Sequence, residues 1–376
     1  FLTADLFNLF VFFEILLIAS YSLLLHGQGR ARVAAGLHYV VLNLFGSALF
    51  LIALGMLYGV AGTLNMADLA HKVGLANAEQ RPLLMAAGLL LLVVFGLKAA
   101  ILPLYFWLPR AYSAATAPVA ALFAIMTKVG VYSILRVYTL VFGTAAGPLE
   151  GLVHGWLWPL ALLTLVAGLI GALAAQTLGM LVSYLVVVSV GTLTAGLALG
   201  TVEALSASLY YLLHSTLIAA GLFLLVDMIA RQRGDKHDAL VQGSKLMQPH
   251  LLGGLFFFAA IAVAGLPPLS GFLGKLLYLQ AVSGMQALQL WPILLIGGLV
   301  TLVSLSRAGS MLFWKVGLHM HDRASSDIWR TLGCMVLLGA SLALVLGAAP
   351  ILAYTQATAR QLLDLAPYLA LVGGGV

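Results

Sequence analysis

Charged residues are scarce in this sequence. Of its 376 residues, 8% are Asp, Glu, Lys or Arg, and 62% are hydrophobic. A soluble domain carries about 25% charged residues, so the composition excludes a soluble protein and predicts an integral membrane protein. The mean hydropathy of +1.09 favours the same class. The net charge of +6 is small, and we interpret it as a topology signal and not as a nucleic-acid-binding surface.

Cysteine is nearly absent as well. Cys334 is the one cysteine, which excludes an internal disulfide and a metal site made of several cysteines. The sequence also lacks a metalloprotease motif, a nucleophile elbow and a redox motif, and residues 271–275 lack the spacing of a phosphate-binding loop. These absences argue against a membrane enzyme, and we expect no cofactor.

One group of residues in a polar loop has the composition of a metal site. His319, His321 and Asp322 lie there together with Arg323 and Asp327. A structural zinc site takes four ligands, and nothing in the sequence fixes a fourth one here. We therefore expect a solvated loop and no metal.

The apolar segments do not alternate with polar residues. They are continuous runs of about 20 residues, the length that a membrane-spanning helix needs, whereas strands of a barrel would alternate over about 10 residues. The sequence therefore predicts an all-α polytopic bundle with no soluble domain. The ten candidate spans are about 2–25, 33–59, 83–108, 118–141, 156–177, 180–200, 204–230, 251–283, 290–313 and 331–354.

The basic residues of the loops are unevenly distributed. The loop after the first span and every second loop thereafter hold ten: Arg30, Arg32, Arg110, Arg231, Arg233, Lys236, Lys245, Lys315, Arg323 and Arg330. The loops on the other side hold four: Lys72, Arg81, Arg136 and Arg360. Because cytoplasmic loops carry the excess of lysine and arginine, we expect the first set in the cytoplasm and the C-terminus outside.

Two of the predicted spans are interrupted by proline. Proline has no N–H and leaves the carbonyl four residues earlier without its helical partner. Pro103 is expected to free the carbonyl of Ala99, and Pro267 and Pro268 those of Val263 and Ala264. In hydrocarbon, such carbonyls are tolerated only where protein or a water-filled cavity satisfies them. Paired interrupted helices are typical of an internally repeated transporter with its site near the midplane.

Five ionisable residues are predicted to lie inside spans. They are Glu14, Lys98, Lys128, His214 and Lys275. Each charged side chain costs about 2.5–3.5 kcal/mol on insertion scales, so a purely structural chain would be more stable with leucine there. The structural alternatives are snorkelling for the lysines, a fixed counter-ion for the glutamate and a hydrogen-bonded core residue for the histidine. We favour a hydrated path for protons or cations.

Three further ionisable residues are expected to have structural roles. His38 and Arg307 lie nearer the ends of their spans, and Asp227 lies at a membrane boundary.

The chain resembles the D-type subunits of the Mrp (Mnh or Pha) multisubunit cation/proton antiporters and, more distantly, the antiporter-like subunits of respiratory complex I. Residues 5–14, 96–98, 103–109, 127–132, 214–216 and 264–275 carry the resemblance. It implies a fold of fourteen spans with two inverted five-helix repeats and two broken helices, of which the first four spans are absent here. The sequence also begins without methionine, and we expect it to be a fragment.

The resemblance implies a division of the chain into three parts. Residues 1–141 would be the remainder of the first repeat, residues 142–313 the second repeat, and residues 314–376 a loop and the last span. It also assigns transport roles to Glu14 and Lys98, and the same holds for Lys128, His214 and Lys275. Two positions depart from relatives: Tyr112 stands where complex I subunits usually have histidine, and Lys275 stands where some relatives have glutamate.

The function implied is proton translocation in a Na⁺/H⁺ or K⁺/H⁺ antiporter of a bacterial inner membrane, with A, B, C, E, F and G types of subunit as partners. In the mechanism that we expect, a proton leaves Lys98 for Lys128 when Glu14 moves away, and His214 passes it through water to Lys275. A proton-pumping subunit of a complex I-type oxidoreductase or hydrogenase remains the alternative. A second alternative function is transport of an organic solute by this chain alone. The sequence does not identify the exchanged cation.

Overall fold

The computed structural model describes residues 1–26, 29–317 and 327–373. These residues form fifteen α-helices joined by short loops. The first eight are α1 (Leu6–Leu25), α2 (Arg30–Ala61), α3 (Met66–Gly74), α4 (Arg81–Ala99), α5 (Trp107–Ala114), α6 (Ala117–Leu140), α7 (His154–Ala174) and α8 (Leu178–Leu199). The other seven are α9 (Val202–Gln232), α10 (Pro249–Ala264), α11 (Ser270–Ala281), α12 (Gly284–Gly309), α13 (Ile328–Leu346), α14 (Ala348–Leu363) and α15 (Ala366–Gly373).

Short elements complete the fold. The 3₁₀ turns are Leu104–Phe106, Thr144–Leu149 and Gly234–Lys236, and a π-helical turn, Ser310–Trp314, follows α12. Two short parallel strands, β1 (Gly243–Ser244) and β2 (Val316–Gly317), pair Gly243 with Val316. They connect the loop after α9 to the segment after α12.

The predicted helical membrane bundle is confirmed. Within the described residues, nine segments are long and apolar enough to span a membrane, and α10 is a shorter apolar helix of 16 residues. The expected span 331–354 is wrong in its second half, because α13 ends at Leu346 and the chain restarts as α14 after Gly347. The helix α14 packs against α9, and α15 packs against α3. The sequence analysis did not predict α3, α14 or α15.

The first broken helix consists of α4 and α5. The helix α4 ends at Ala99, and Ala100 takes a left-handed conformation with φ 63°. The N–H of Ile101 then bonds to the carbonyl of Gly96 at 2.8 Å, a common way to satisfy the last carbonyls of a helix. The indole N–H of Trp107 donates to the carbonyl of Leu97 at 3.0 Å, so α5 folds back onto the broken end of α4.

The second broken helix consists of α10 and α11 and ends in the same way. Gly265 has φ 81°, and the N–H groups of Gly265 and Leu266 both bond to the carbonyl of Ile261 at 3.1 Å. A residue without a side chain suits this left-handed position. The two breaks are thus locally alike, although the inverted five-helix repeat itself stays a prediction.

Glycine lets two functional helices approach closely. A Cβ atom on Gly130 of α6 would lie 2.5 Å from the backbone nitrogen of Ala99 and 2.8 Å from the carbonyl carbon of Lys98. Because backbone atoms cannot move aside as a flexible side chain can, only glycine fits at this position. The contact fixes α6, which carries Lys128, against the end of α4, which carries Lys98.

One end of the bundle contains a buried arginine and several exposed basic residues. We call it the basic end; it contains α5, the start of α2 and residues 233–248. Arg233 is buried, and its guanidinium donates to the carbonyls of His237, Ala239 and Val241. Burial lowers the pKa of Arg233, and the nearby Asp238 opposes that shift. The helices α3, α14 and α15 lie at the opposite end.

The contact at Gly130 yields a stability prediction. We expect Gly130→Ala to lower the free energy of unfolding by about 1–3 kcal/mol, the usual cost of overpacking. Gly55→Ala is the control, since a Cβ atom at Gly55 meets nothing within 4 Å. Thermal unfolding of the purified complex measures both variants. Equal midpoints would show that α4 and α6 are not in backbone contact.

Candidate functional site

Lys98 lies at the end of α4 with its ammonium group inside the protein. Its side chain is 4% exposed. The Nζ atom lies 3.4 Å from each of three acceptors on α2: the carbonyl and the side-chain oxygen of Asn43 and the hydroxyl of Ser47. The ring of Phe13 lies 6.0 Å from Nζ. These hydrogen bonds are longer than the usual 2.7–3.2 Å, so the ammonium is loosely held and faces α2 rather than the carbonyl of Ala99.

Glu14 reaches Lys98 through a serine. The Ser47 hydroxyl donates to Oε1 of Glu14 and accepts from the Lys98 ammonium. Among the described residues, these two charged groups form no ion pair within 4.0 Å. The structure therefore brings Glu14 and Lys98 together with one hydroxyl between them, which is a geometry for indirect electrostatic coupling.

Lys128 is fully buried in the middle of α6. Its exposed fraction is 0%. The ammonium donates to the hydroxyl of Ser189 on α8 at 3.0 Å, and Ser189 in turn donates to the carbonyl of Val186 at 2.7 Å. An ammonium has three donors, and Ser189 is the one acceptor found in the part of the chain that the structure describes. Two of its three donors thus have no acceptor among those residues.

His214 and Ser189 line the same small cavity. The cavity has a volume of about 20 Å³, and Ser189, Tyr211, His214 and Ser215 line it among apolar side chains. A water molecule needs a cavity of about 10–15 Å³ and two to four polar partners. The cavity therefore accommodates one water between Ser189, which binds Lys128, and His214.

The other side of His214 contacts a pair of serines. Its Nδ1 atom shares a hydrogen bond of 2.7 Å with the hydroxyl of Ser270 at the start of α11. That hydroxyl lies 2.7 Å from the hydroxyl of Ser341 on α13. His214 is 2% exposed, and a Cβ atom on Gly271 would lie 2.9 Å from its Nε2 atom. The imidazole is thus held between α9, α11 and α13, next to the second break.

Lys275 binds the carbonyls that the second break releases. Its Nζ atom donates to the carbonyl of Ala264 at 2.7 Å and to that of Val263 at 3.2 Å. These are the two carbonyls that Pro267 and Pro268 were predicted to free. Glycine makes the space, since a Cβ atom on Gly265 would lie 3.1 Å from Nζ. Lys275 thus lies beside both carbonyls at this break.

A polar vestibule opens at the basic end of the bundle. Its volume is about 440 Å³. Its lining includes Arg32, Tyr112, Asp227, His237 and Asp238. At its inner wall the buried Tyr112 hydroxyl donates at 2.5 Å to the carbonyl of Phe123 on α6, the helix of Lys128. The vestibule therefore gives aqueous solvent an approach to α6.

The residues with expected structural roles make structural contacts. Arg307 donates to the carbonyl of Ala175 just after α7 at 3.1 Å. Asp227 forms ion pairs with Arg231 at 2.7 Å and with Arg330 at 3.1 Å, which joins α9 to α13. His38 is exposed on the surface of α2.

The candidate metal cluster of the polar loop, His319, His321 and Asp322, lies outside the described residues. Among residues 1–26, 29–317 and 327–373, no group of three potential ligands is close enough to hold a metal ion.

Sequence reasoning missed the hydroxyls and the amide that connect the ionisable groups. These are Asn43, Ser47, Ser189, Ser270 and Ser341. Asn43 and Ser47 carried a usable signal, because they are four residues apart in an apolar span and so lie on one face of α2. The three other serines had no such signal, since serine is frequent in apolar helices.

Comparisons with known proteins show which membrane proteins the chain is similar to. A family model described as "NADH:quinone oxidoreductase/Mrp antiporter, TM" matches residues 3–301. The D-type subunit of a probable K⁺/H⁺ antiporter of Rhizobium meliloti (strain 1021) is 43% identical, with 96% of this chain and 72% of that protein aligned. The D-type subunit of the Na⁺/H⁺ antiporter of Alkalihalophilus pseudofirmus is 39% identical, with 98% and 74% aligned.

A solved structure has the same fold. One chain of the Mrp complex from Dietzia sp. DQ12-45-1b superposes with a TM-score of 0.83 at 26% identity. The likeness covers 99% of this chain and 76% of that one.

Ser47 provides a test of the coupling between Glu14 and Lys98. We expect Ser47→Ala to slow ion exchange about tenfold, equivalent to about 1.4 kcal/mol, because it removes the hydroxyl between the two charges. Ser22→Ala is the control, since the Ser22 hydroxyl bonds only to the carbonyl of Ile18 on an exposed face. Dye-monitored collapse of ΔpH in everted vesicles measures both. Equal rates would exclude a coupling through Ser47.

Proposed function

Because the chain belongs to the NADH:quinone oxidoreductase/Mrp antiporter family of membrane proteins, we propose that it is the proton-translocating subunit of a multisubunit monovalent cation/proton antiporter. The identities of 43% and 39% to D-type subunits of K⁺/H⁺ and Na⁺/H⁺ antiporters support this assignment. The observation that carries it is the series of buried ionisable groups, Lys98, Lys128 and His214, each bonded to a polar partner inside the bundle.

The proton path that we propose begins at the pair of Glu14 and Lys98. The ammonium of Lys98 has only long hydrogen bonds, so its protonation depends on how close the carboxylate lies. A nearby carboxylate favours the charged amine, and desolvation disfavours it. When Glu14 withdraws, the proton leaves Lys98 for Lys128, whose helix touches α4 at Gly130.

The second part of the path runs through the small cavity. The Ser189 hydroxyl accepts a proton from Lys128 and releases its own to a water bound between Ser189 and His214, and the imidazole passes it on. Histidine suits this step, because its unperturbed pKa lies near neutral pH. The acceptor beyond the break is Lys275, whose ammonium the carbonyls of Val263 and Ala264 stabilise. The membrane potential supplies about 2.3 kcal/mol per charge per 100 mV.

The protein is a multi-pass membrane protein and a transporter subunit that acts in a complex. We propose that its partners are the A, B, C, E, F and G types of subunit and that it lies in a bacterial inner membrane with the C-terminus outside. The excess of basic side chains at the basic end supports this orientation. We also propose that residues 1–141 are the remainder of the first repeat, residues 142–313 the second repeat, and residues 314–376 a loop and the last span.

A proton-pumping subunit of a complex I-type oxidoreductase or hydrogenase is the second candidate. The family model covers NADH:quinone oxidoreductase subunits as well as antiporter subunits, and the same buried groups would serve there. Co-purification with flavin and iron–sulfur subunits would favour this candidate. Purification with antiporter subunits alone would favour the first.

Lys98→Ala tests the proposed function. We expect the variant to lose cation-dependent proton exchange in everted vesicles that carry the whole complex, because Lys98 is the first carrier of the proton. Lys72→Ala is the control, since Lys72 is exposed at the opposite end and pairs with Asp68. Assembly of both variants is checked by co-purification of the partner subunits. Exchange near the normal rate in the Lys98 variant would refute the proposed path.

The same vesicles identify the cation. We expect ΔpH to collapse on addition of sodium or potassium, and lithium serves as the third salt. If ΔpH persists in vesicles with the intact complex after each of the three salts is added, antiport is contradicted.

A further inference from the structure

A deep apolar groove separates α10 from α12 on the outside of the bundle. Its volume is about 700 Å³. It extends from His250 and Trp314 at the basic end to Leu266 and Pro267 at the second break. None of its lining residues among the described part of the chain is acidic. The groove is separate from the polar groups of the proton path.

Glycine residues give the groove its depth. Gly253, Gly254 and Gly309 lie along its walls. A Cβ atom on Gly254 would meet nothing within 4 Å, and one on Gly309 would lie 3.0 Å from the ring of Phe256. Larger residues at these positions would fill the space, so the groove follows directly from the sequence of the two helices.

The shape of the groove fits a lipid chain. The groove extends along α10, whose 16 residues span about 24 Å at 1.5 Å per residue. One leaflet contributes about half of the roughly 30 Å of hydrocarbon, so an acyl chain of that leaflet fills about 15 Å of this length from the basic end. The groove opens laterally toward lipid, since Phe257 is 67% exposed and Trp314 78% exposed.

A histidine and two lysines lie near the end of the groove at the membrane surface. His250 lies in the first turn of α10, where the helix dipole favours an anion. Lys315 directly follows Trp314 and precedes β2, and Lys245 directly follows β1, which pairs with β2. All three side chains are exposed. The chemistry of this end of the groove therefore suits a phosphate group.

We propose that this groove is a binding site for one anionic phospholipid. An acyl chain lies between α10 and α12 and points toward Leu266 and Pro267, and the phosphate binds His250, Lys245 and Lys315. The combination of an apolar groove with a basic opening selects this occupant. A zwitterionic lipid has no net charge, so the lysines would attract it less strongly. A partner helix carries no phosphate group to bind the basic residues at the opening.

Charge removal at the opening is the first test. The whole complex is purified in detergent, and co-purified phosphatidylglycerol is quantified by mass spectrometry. We expect Lys315→Gln to lower the retained phosphatidylglycerol about fivefold and the double variant with Lys245→Gln about thirtyfold, because each lysine near an anionic lipid surface contributes about 1 kcal/mol. Lys236→Gln is the control, since Lys236 is an exposed lysine at the same end that neighbours no lining residue in the sequence, whereas Lys315 directly follows Trp314.

Filling of the groove is the second test. We expect Gly254→Phe to displace the same lipid with all protein subunits retained. Gly59→Phe is the matched control, because a Cβ atom on Gly59 of α2 also meets nothing within 4 Å. Reconstitution into nanodiscs of phosphatidylcholine with and without phosphatidylglycerol shows which lipid rebinds.

Three results would overturn the proposal. Loss of a protein subunit from the Gly254→Phe complex, with phosphatidylglycerol unchanged, would identify the groove as the seat of a partner helix. Equal rebinding of phosphatidylcholine would exclude recognition of the anionic phosphate. Unchanged amounts of phosphatidylglycerol in the lysine variants would also exclude recognition of the anionic phosphate, even if Gly254→Phe failed to assemble. None of these readouts depends on transport activity, so the result is independent of the proposed function.

Discussion

The whole site depends on one constraint: each buried ammonium group must find hydrogen-bond acceptors. Lys275 meets it with hydrogen bonds to the carbonyls of Val263 and Ala264. An ammonium group inside a membrane needs acceptors, and in an unbroken helix most carbonyls already accept from N–H groups of the same helix. The break after α10 leaves two carbonyls without helical partners, and they accept from Lys275 at 2.7 and 3.2 Å. Two otherwise unfavourable features, a buried charge and a broken helix, thus satisfy each other.

The first break satisfies its lysine differently. There the indole of Trp107 and the N–H of Ile101 take up the carbonyls at the end of α4, and Lys98 turns to acceptors on α2 at 3.4 Å. The two lysines at the breaks therefore differ in how firmly they are held. Lys98, which has a carboxylate one hydroxyl away, is the group whose charge state a small movement can change. Lys275 has short bonds to fixed carbonyls and no carboxylate among its hydrogen-bond partners.

Much of this arrangement could be predicted from sequence, because it depends on residue types with strong local consequences. Proline must interrupt a helix, and a mid-span lysine, glutamate or histidine is rare enough to indicate a site. The helical bundle, both breaks and the burial of Lys98, Lys128 and His214 followed from such residues. The carbonyls that bind Lys275 were also identified correctly.

The connections between those residues could not be predicted, because they depend on how each helix is rotated about its axis. Ser189 is one of several serines and threonines in α8, and only the packing of α8 against α6 and α9 places it between Lys128 and His214. The same holds for Gly130, whose role requires the position of Ala99 on another helix. The end of α13 at Leu346 was missed because the apolar run continues through Gly347 into α14.

The cavity between Ser189 and His214 offers the most direct test of the central claim, which is that buried amines exchange protons through the interior of the bundle. The measurement is an electron cryomicroscopy map of the whole complex in lipid, at a resolution that shows ordered water. Our account predicts one water within hydrogen-bonding distance of both the Ser189 hydroxyl and the His214 imidazole, with the Lys128 ammonium bonded to the same serine. A dry contact of apolar side chains between Ser189 and His214, with Lys128 turned away from α8, would contradict it.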